Sequence, residues 1–125
     1  MSKTVLVVDD SAVQAMSLKM ALENAGYRVL SAHDGKAALE SVLNERPDVV
    51  ITDVIMPVMD GYELSRQLKD NELTKNIPVI IISGLGETSD PYWRRHADAD
   101  AYLSKTVGIE RLLKTVRETL EKLET

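Results

Sequence analysis

Five polar residues lie just beyond four short apolar runs of this sequence, and their side chains suit metal and phosphate chemistry. Asp9 and Asp10 follow the first run, Asp53 follows the second, and Ser83 and Lys105 follow the last two. In a parallel α/β sheet, ligands bind beyond the carboxyl ends of the strands. If each run is a strand, all five side chains lie at that edge and form one site.

The three aspartates predict a cation site. Carboxylates held close together repel one another, so a protein must protonate one of them or bind a cation between them. Mg²⁺ takes oxygen ligands in octahedral geometry, usually one or two carboxylates, several waters and a phosphate oxygen. We expect Asp10 and Asp53 to be direct ligands, Asp9 to hold a coordinated water, and the backbone carbonyl of Ile55 to supply another oxygen. Mn²⁺ is an alternative to Mg²⁺.

Asp53 is also predicted to be a nucleophile. A carboxylate forms an aspartyl phosphate when a metal and hydrogen-bond donors neutralise the charge on the transferring group. We expect the ammonium of Lys105 to pair with one phosphoryl oxygen and the hydroxyl of Ser83 to donate to another. Taken singly, each residue has an ordinary explanation as a helix cap, a turn or a surface residue. Their joint occurrence at four predicted strand ends favours the functional interpretation.

The elements that position these residues are predicted from local patterns. Runs rich in β-branched residues and too short for helices indicate buried strands, and a run interrupted by Arg28 indicates a strand at a sheet edge. The buried strands fall at 5–8, 49–51, 79–82 and 102–103, and the edge strand at 27–31. Strands that alternate with helices predict a parallel sheet covered on both faces. The predicted fold class is therefore α/β.

Helix boundaries are marked by capping residues. Ser11, Asp34 and Asp60 are predicted N-caps, and Asp90 followed by proline marks a fourth helix start. Gly26 is predicted to end the first helix. The last helix has the clearest periodicity, with apolar residues at spacings of three and four: Ile109, Leu112, Leu113, Val116, Leu120 and Leu123.

Composition limits the classes of function. A chain of 125 residues suits one domain, predicted here to span 1–125, and the absence of cysteine suits a reducing, cytoplasmic location. No apolar run is long enough to cross a bilayer, and no signal peptide is evident. The net charge of −5 disfavours direct binding to nucleic acid.

These patterns resemble the receiver domains of two-component response regulators, and the resemblance spans the whole chain. It is carried by four motifs: Val7-Val8-Asp9-Asp10-Ser11, Asp53-Val54-Ile55-Met56-Pro57-Val58-Met59-Asp60-Gly61, Ser83-Gly84 and Tyr102-Leu103-Ser104-Lys105. The resemblance implies a flavodoxin-like fold with five helices around a sheet of strand order 2-1-3-4-5. It also implies a sensor histidine kinase or a histidine phosphotransfer protein as phosphoryl donor, and an unknown downstream protein as target.

The resemblance assigns a role to each site residue. It implies phosphorylation at Asp53, a metal cluster of Asp9, Asp10 and Asp53, and phosphate contact by Lys105. Ser83 and Tyr102 would form a switch that remodels the surface of the fourth helix, fifth strand and fifth helix. The protein would then be a signalling switch that promotes its own Mg²⁺-dependent phosphorylation and dephosphorylation, and no output domain is expected within the chain.

Two features depart from the family pattern or leave alternatives open. Thr106 follows Lys105 where the family usually has proline, so we expect a trans bond there. The first helix carries two apolar stripes, and only one can face the sheet fully: Leu18, Ala21, Leu22 and Ala25, or Val13, Met16 and Met20. The methionine stripe either docks a phosphodonor protein or packs beneath neighbouring segments.

Two other classes of function compete with a signalling switch. A metal-dependent phosphohydrolase with an aspartyl nucleophile requires a second carboxylate two residues after it, and Ile55 stands there. A module that merely keeps the fold would not need Asp9, Asp10, Asp53, Ser83 and Lys105 together. The sequence leaves open whether the protein is a monomer or a weak homodimer.

Overall fold

A computed structural model describes residues 3–54, 56–83, 99–104 and 107–124, apart from the side chains of Ser83, Leu123 and Glu124. Five strands form one sheet, whose members are β1 (Thr4–Val8), β2 (Arg28–Ala32), β3 (Val49–Asp53), β4 (Val79–Ser83) and β5 (Ala101–Ser104). All pairings are parallel and the order is β2-β1-β3-β4-β5. The predicted α/β class and strand order 2-1-3-4-5 are confirmed, and the strand containing Arg28 lies at an edge as predicted.

Four helices are described: α1 (Ala12–Asn24), α2 (Gly35–Glu45), α3 (Gly61–Asp70) and the C-terminal helix (Ile109–Glu124). The predicted helix start at Asp90 lies outside the described residues. Within the described part of the chain, no helix combines the length and apolar character that a bilayer crossing needs.

The predicted caps hold three helix starts in place. Ser11 Oγ accepts a hydrogen bond from the backbone N–H of Gln14 at 3.3 Å. Asp34 and Asp60 each accept at 2.8 Å from the N–H three residues later. The negative charges of these two carboxylates also interact favourably with the positive N-terminal ends of the helix dipoles. The first helix ends as predicted before Gly26, whose φ of 99° is readily adopted by glycine.

Alternate side chains of each strand enter different cores, as expected for a sheet covered on both faces. One core packs between the sheet and the α2 and α3 helices, with Leu6, Val50 and Ile81 at its centre. The other packs beneath α1 and the C-terminal helix and includes Val7 and Ile80. The odd-numbered residues of β1 and β3 face this second core, and continuing that alternation turns Asp9 and Asp53 towards α1 and the C-terminal helix.

The C-terminal helix matches its predicted periodicity with one difference. Leu112, Val116 and Leu120 are buried in the second core. Ile109, in the first turn, is 44% exposed and lines a cavity beside the sheet. The side chain of Leu123 lies outside the described residues.

Candidate functional site

The register of the sheet brings Asp9 beside Asp53. Val8 of β1 lies opposite Thr52 of β3. The next residues along the two strands, Asp9 and Asp53, are therefore also level with each other across the sheet. Both residues are buried, although Asp9 follows the end of β1 and Asp53 is the last residue of β3. Continuing the sheet in the other direction, Asp53 lies opposite Ile82 of β4, and Ser83 lies opposite Ser104 of β5.

The three aspartates form one cluster. One carboxylate oxygen from each of Asp9, Asp10 and Asp53 lies within 4.8 Å of the others, with Asp10 exposed to solvent and the other two buried. Asp9 is oriented from both sides of the strand end: its N–H donates to Ala32 O at 3.1 Å, and its Oδ1 accepts from Ser11 N at 2.9 Å. Carboxylates this close repel one another unless one is protonated or a cation lies between them, so the arrangement suits the predicted cation site.

The loop after Asp53 is held tightly against it. The N–H of Gly61 donates to Val54 O at 2.8 Å. A β-carbon on Gly61 would overlap the backbone carbonyl of Asp53. Only glycine therefore lets α3 begin this close to the end of β3. Sequence analysis placed Gly61 in a motif but did not identify this contact.

Val58, in the same loop, adopts a strained conformation. Its φ is 70°, and the N–H of Met59 donates to Pro57 O at 2.7 Å, which is the hydrogen bond of a three-residue γ-turn. A positive φ is unusual for a β-branched residue. The valine side chain is fully exposed, whereas the neighbouring Met59 packs against Gly35 at the start of α2.

Tyr102, the predicted switch residue, is half-buried in β5 and packs against the core beneath α2 and α3. Its Oη accepts a hydrogen bond from the N–H of Ala99 at 3.2 Å. The ring is thus neither fully buried nor free in solvent.

A polar network that sequence analysis missed fixes the entry to β5. Lys69 Nζ lies 2.7 Å from Asp100 Oδ2 and donates to Ile77 O at 3.1 Å. The same carboxylate oxygen accepts from Val79 N at 2.7 Å, and Asp100 N donates to Val79 O at 2.8 Å. The Lys69 side chain is only 13% exposed. Because Lys69 and Asp100 lie far apart in sequence, no local sequence pattern predicted the network.

The burial of individual residues shows which apolar stripe of the first helix faces the sheet. Leu22 is fully buried and Leu18 packs on the second core. Val13, Met16 and Met20 are 80%, 57% and 58% exposed, so the alternative in which the methionines pack beneath neighbouring segments is wrong. They form an exposed apolar stripe on α1, the helix that begins just after Asp9 and Asp10.

A cavity of about 320 Å³ opens beside the aspartate cluster. It is bounded by the sheet, by α1 and by the segment that leads into the C-terminal helix. Its lining comprises Val8, Asp9, Gln14, Ser17, Leu18, Ile51, Asp53, Ile82, Ser104, Val107, Gly108, Ile109 and Leu112.

Several predicted site features lie outside the described residues. They are the carbonyl of Ile55, the side chains of Ser83 and Lys105, and the bond to Thr106. The described backbone of β4 includes Ser83, and that of β5 ends at Ser104, one residue before the lysine.

This chain is similar to a known protein family and to several of its members. The model of the response regulator receiver domain matches residues 5–117. Protein PilH of Pseudomonas aeruginosa is 38% identical over 116 residues, which cover 93% of this chain and 96% of that protein. Response regulator MprA of Mycobacterium tuberculosis is 37% identical over 122 residues; these cover 98% of this chain and 52% of MprA, so the chain spans about half of that relative.

A solved structure provides a further comparison. The receiver domain of the sensor histidine kinase PA1611 from Pseudomonas aeruginosa superposes with a TM-score of 0.89 at 26% identity, covering 97% of this chain and 99% of that one. That structure is described with a magnesium ion coordinated in its active-site cleft. The fold, the clustered aspartates at the carboxyl edge and the family match agree: this chain belongs to the response regulator receiver domain family.

Proposed function

We propose that this protein is a phosphorylation-activated receiver that accepts a phosphoryl group from phosphohistidine onto Asp53, with residues 1–125 forming a single receiver domain. The observation that carries the proposal is the convergence of Asp9, Asp10 and Asp53 within 4.8 Å at the carboxyl edge of the sheet. Family membership favours this signalling switch over a phosphohydrolase. The donor would be a sensor histidine kinase or a histidine phosphotransfer protein.

The donor set fits Mg²⁺ or Mn²⁺. Opposite ligands of an octahedral Mg²⁺ ion are about 4.2 Å apart. Oxygens spread over up to 4.8 Å therefore suit two direct carboxylate ligands, Asp10 and Asp53, with Asp9 acting through a coordinated water. The carbonyl of Ile55 would complete the protein ligands. When bound, the cation would neutralise charge on the cluster and on the transferring phosphoryl group.

The chain's own residues carry out the transfer. A carboxylate oxygen of Asp53 attacks phosphorus, the bond between phosphorus and the donor imidazole nitrogen breaks, and its electron pair leaves with that nitrogen. Asp53 is buried and its backbone carbonyl lies against Gly61, the first residue of α3. This limits the movement of the residue and would reduce the entropy cost of reaching the attacking geometry. Lys105 would pair with a phosphoryl oxygen, and Ser83 would donate a hydrogen bond to another.

The response to phosphorylation would pass through Ser83 and Tyr102. The serine hydroxyl moves towards the phosphoryl group, and the tyrosine ring follows into the space it leaves. The half-buried ring of Tyr102, whose Oη accepts a hydrogen bond from the Ala99 N–H, lies at the edge strand of the sheet, where such a movement would alter the surface. The surface made by the predicted fourth helix, β5 and the C-terminal helix would then change its affinity for a downstream protein.

The exposed stripe of Val13, Met16 and Met20 would dock the phosphodonor protein. It lies on α1, whose first turn follows the aspartates directly, so a partner seated on it reaches Asp53. Flexible methionine side chains adapt to a helical partner surface. Each of these three large apolar side chains is more than half exposed, and a run of exposed apolar side chains on one helix face is typical of a protein interaction site.

One experiment tests the central claim. The protein is incubated with Mg²⁺ and phosphoramidate, and the intact mass is measured for wild type, Asp53→Asn and Asp70→Asn. Asp70 is an exposed aspartate at the end of α3, remote from the cluster, and serves as the matched control. We expect one added phosphoryl mass in wild type and the control and none in Asp53→Asn. Equal labelling of all three proteins would overturn the assignment.

A further inference from the structure

Two methionines lie one helical turn apart on the exposed stripe of α1. Met16 and Met20 are 57% and 58% exposed, and a spacing of four residues places both side chains on the same helix face. Oxidation of a thioether sulfur depends on whether the oxidant can reach it. These two side chains therefore offer accessible sulfur to an oxidant in solution.

The other described methionines are more shielded. Met56 is 7% exposed, and its sulfur accepts a weak hydrogen bond from Thr52 Oγ1 at 3.9 Å. Met59 is half-buried and packs so closely on Gly35 that a β-carbon on that glycine would overlap the methionine sulfur. Met1 lies outside the described residues. The chain has no cysteine, so no thiolate of this protein competes for the oxidant.

We propose that Met16 and Met20 form a reversible oxidation site that switches off docking of the phosphodonor protein. The inference rests on the proposed function, in which this stripe of α1 seats the donor. Oxidation converts a flexible apolar side chain into a polar one that carries a hydrogen-bond acceptor. Burial of that acceptor against an apolar partner surface, without a donor for it, opposes association. The receiver would then stop accepting phosphoryl groups from its partner.

The oxidation balances with a peroxide as the oxidant. The sulfur lone pair attacks one oxygen of hydrogen peroxide, a sulfur–oxygen bond forms and the oxygen–oxygen bond breaks. The leaving hydroxide takes the proton of the transferred oxygen and becomes water, so sulfur loses two electrons and peroxide gains them. Methionine sulfoxide reductases, one for each sulfoxide epimer, reverse the change. A dithiol supplies the two electrons and ends as a disulfide, and the oxygen leaves as water.

Peptide mapping after limited exposure to hydrogen peroxide tests the site itself. Met16 and Met20 should be oxidised at least about fivefold faster than Met56 and Met59, because the latter pair is shielded by packing. This measurement requires no phosphoryl transfer. Equal rates at the four methionines would overturn the proposal.

A ratio of two rates tests the effect on docking. Phosphorylation is measured with a phosphorylated histidine phosphotransfer domain that transfers to the reduced protein, and separately with phosphoramidate, which needs no docking surface. The ratio of the first rate to the second should fall about tenfold when both methionines are sulfoxides. Treatment with the reductases and dithiothreitol should restore it. An unchanged ratio in the oxidised protein would contradict the switch.

Two variants show whether the sulfurs of the stripe cause the effect. Met16→Leu combined with Met20→Leu keeps the stripe apolar and removes its sulfur, so peroxide should not change the ratio of this protein from its own starting value. Adding Leu43→Met to that double variant places a sulfur at an exposed position on α2. Its oxidation should also leave the ratio unchanged. A tenfold fall in either protein would place the sensitive group outside the stripe.

A binding measurement separates this inference from the proposed phosphorylation. Isothermal titration calorimetry gives the affinity of reduced and oxidised protein for an unphosphorylated histidine phosphotransfer domain selected for binding to the reduced protein. The affinity should fall about tenfold on oxidation even if neither donor labels Asp53. Equal affinities would overturn the inference even if phosphoramidate does label Asp53.

Discussion

Gly61 lies so close to Asp53 that a β-carbon on the glycine would overlap the aspartate's backbone carbonyl. The start of α3 is therefore packed directly on the residue proposed to accept phosphate. Any side chain at position 61 must push α3 or the end of β3 aside. The position of the acceptor carboxylate thus depends on a residue that has no chemistry of its own.

Gly61→Ala is expected to destabilise the fold by roughly 1 to 3 kcal/mol, because the backbone must shift to admit the methyl group. Gly108→Ala is the control for stability, since a β-carbon there meets nothing within 4 Å. Urea denaturation measures both free energies of unfolding. Phosphorylation of Asp53 by phosphoramidate should also slow in Gly61→Ala. Equal stability of the two variants would show that the overlap is relieved without cost.

Val58→Gly is expected to stabilise the protein by roughly 0.5 to 1 kcal/mol. Valine at a φ of 70° carries a left-handed strain of about 1 to 2 kcal/mol, part of which is offset by the larger chain entropy of unfolded glycine. The side chain is fully exposed, so its removal costs no packing. Thermal unfolding is the measurement. Val13→Gly, at an exposed helical position, should instead lower stability slightly, and a loss in both would contradict the strain.

Replacing Asp10 by asparagine is expected to weaken Mg²⁺ binding by about tenfold or more, because one anionic ligand of the cluster is lost. Asp10 is exposed, so the fold should tolerate the change. Isothermal titration calorimetry of wild type, Asp10→Asn and Asp70→Asn measures the affinities. Unchanged affinity in Asp10→Asn would remove this residue from the metal site.

The Lys69–Asp100 pair is expected to contribute about 1 kcal/mol of coupling in a double-mutant cycle with Lys69→Met and Asp100→Ala. It is largely shielded on the lysine side and shares its carboxylate with a backbone N–H. The pair of Lys75 with Glu72 at 2.8 Å is the control, because both partners are exposed and the coupling should be near zero. Chemical denaturation gives the four stabilities in each cycle. Similar coupling in both pairs would count against the structural role of the first.

Met16→Asp is expected to lower the rate of phosphotransfer from a phosphorylated histidine phosphotransfer domain by about tenfold relative to its rate with phosphoramidate. A charge in the exposed stripe must be desolvated when the partner docks. Leu43→Asp is the control, since Leu43 is similarly exposed on α2, across the sheet. Equal effects of the two substitutions would place the docking surface elsewhere.

Much of this architecture follows from local sequence. β-branched runs form buried strands because their side chains pack on a pleated surface, and Ser11, Asp34 and Asp60 cap helices because each accepts a hydrogen bond three residues ahead. The convergence of Asp9 and Asp53 follows as well, since parallel strands end at the same edge.

The remaining features depend on contacts between distant parts of the chain. Both stripes of α1 are apolar, and only packing against the sheet decided that Leu22 is buried and Met16 exposed. Lys69 meets Asp100 across 31 positions. The cavity exists because α1 and the C-terminal helix leave space between them beside the sheet.

By itself, the sequence determined the α/β class, the strand order through the resemblance to receivers, and the aspartates that meet at the strand ends. These follow from hydrogen bonding and side-chain periodicity within a few residues. Only the tertiary structure decided how tightly Gly61 packs on Asp53, which face of α1 meets solvent and what space lies beside the acceptor. Such properties depend on how side chains from different helices and strands pack against one another, and residues in contact are often far apart in the sequence.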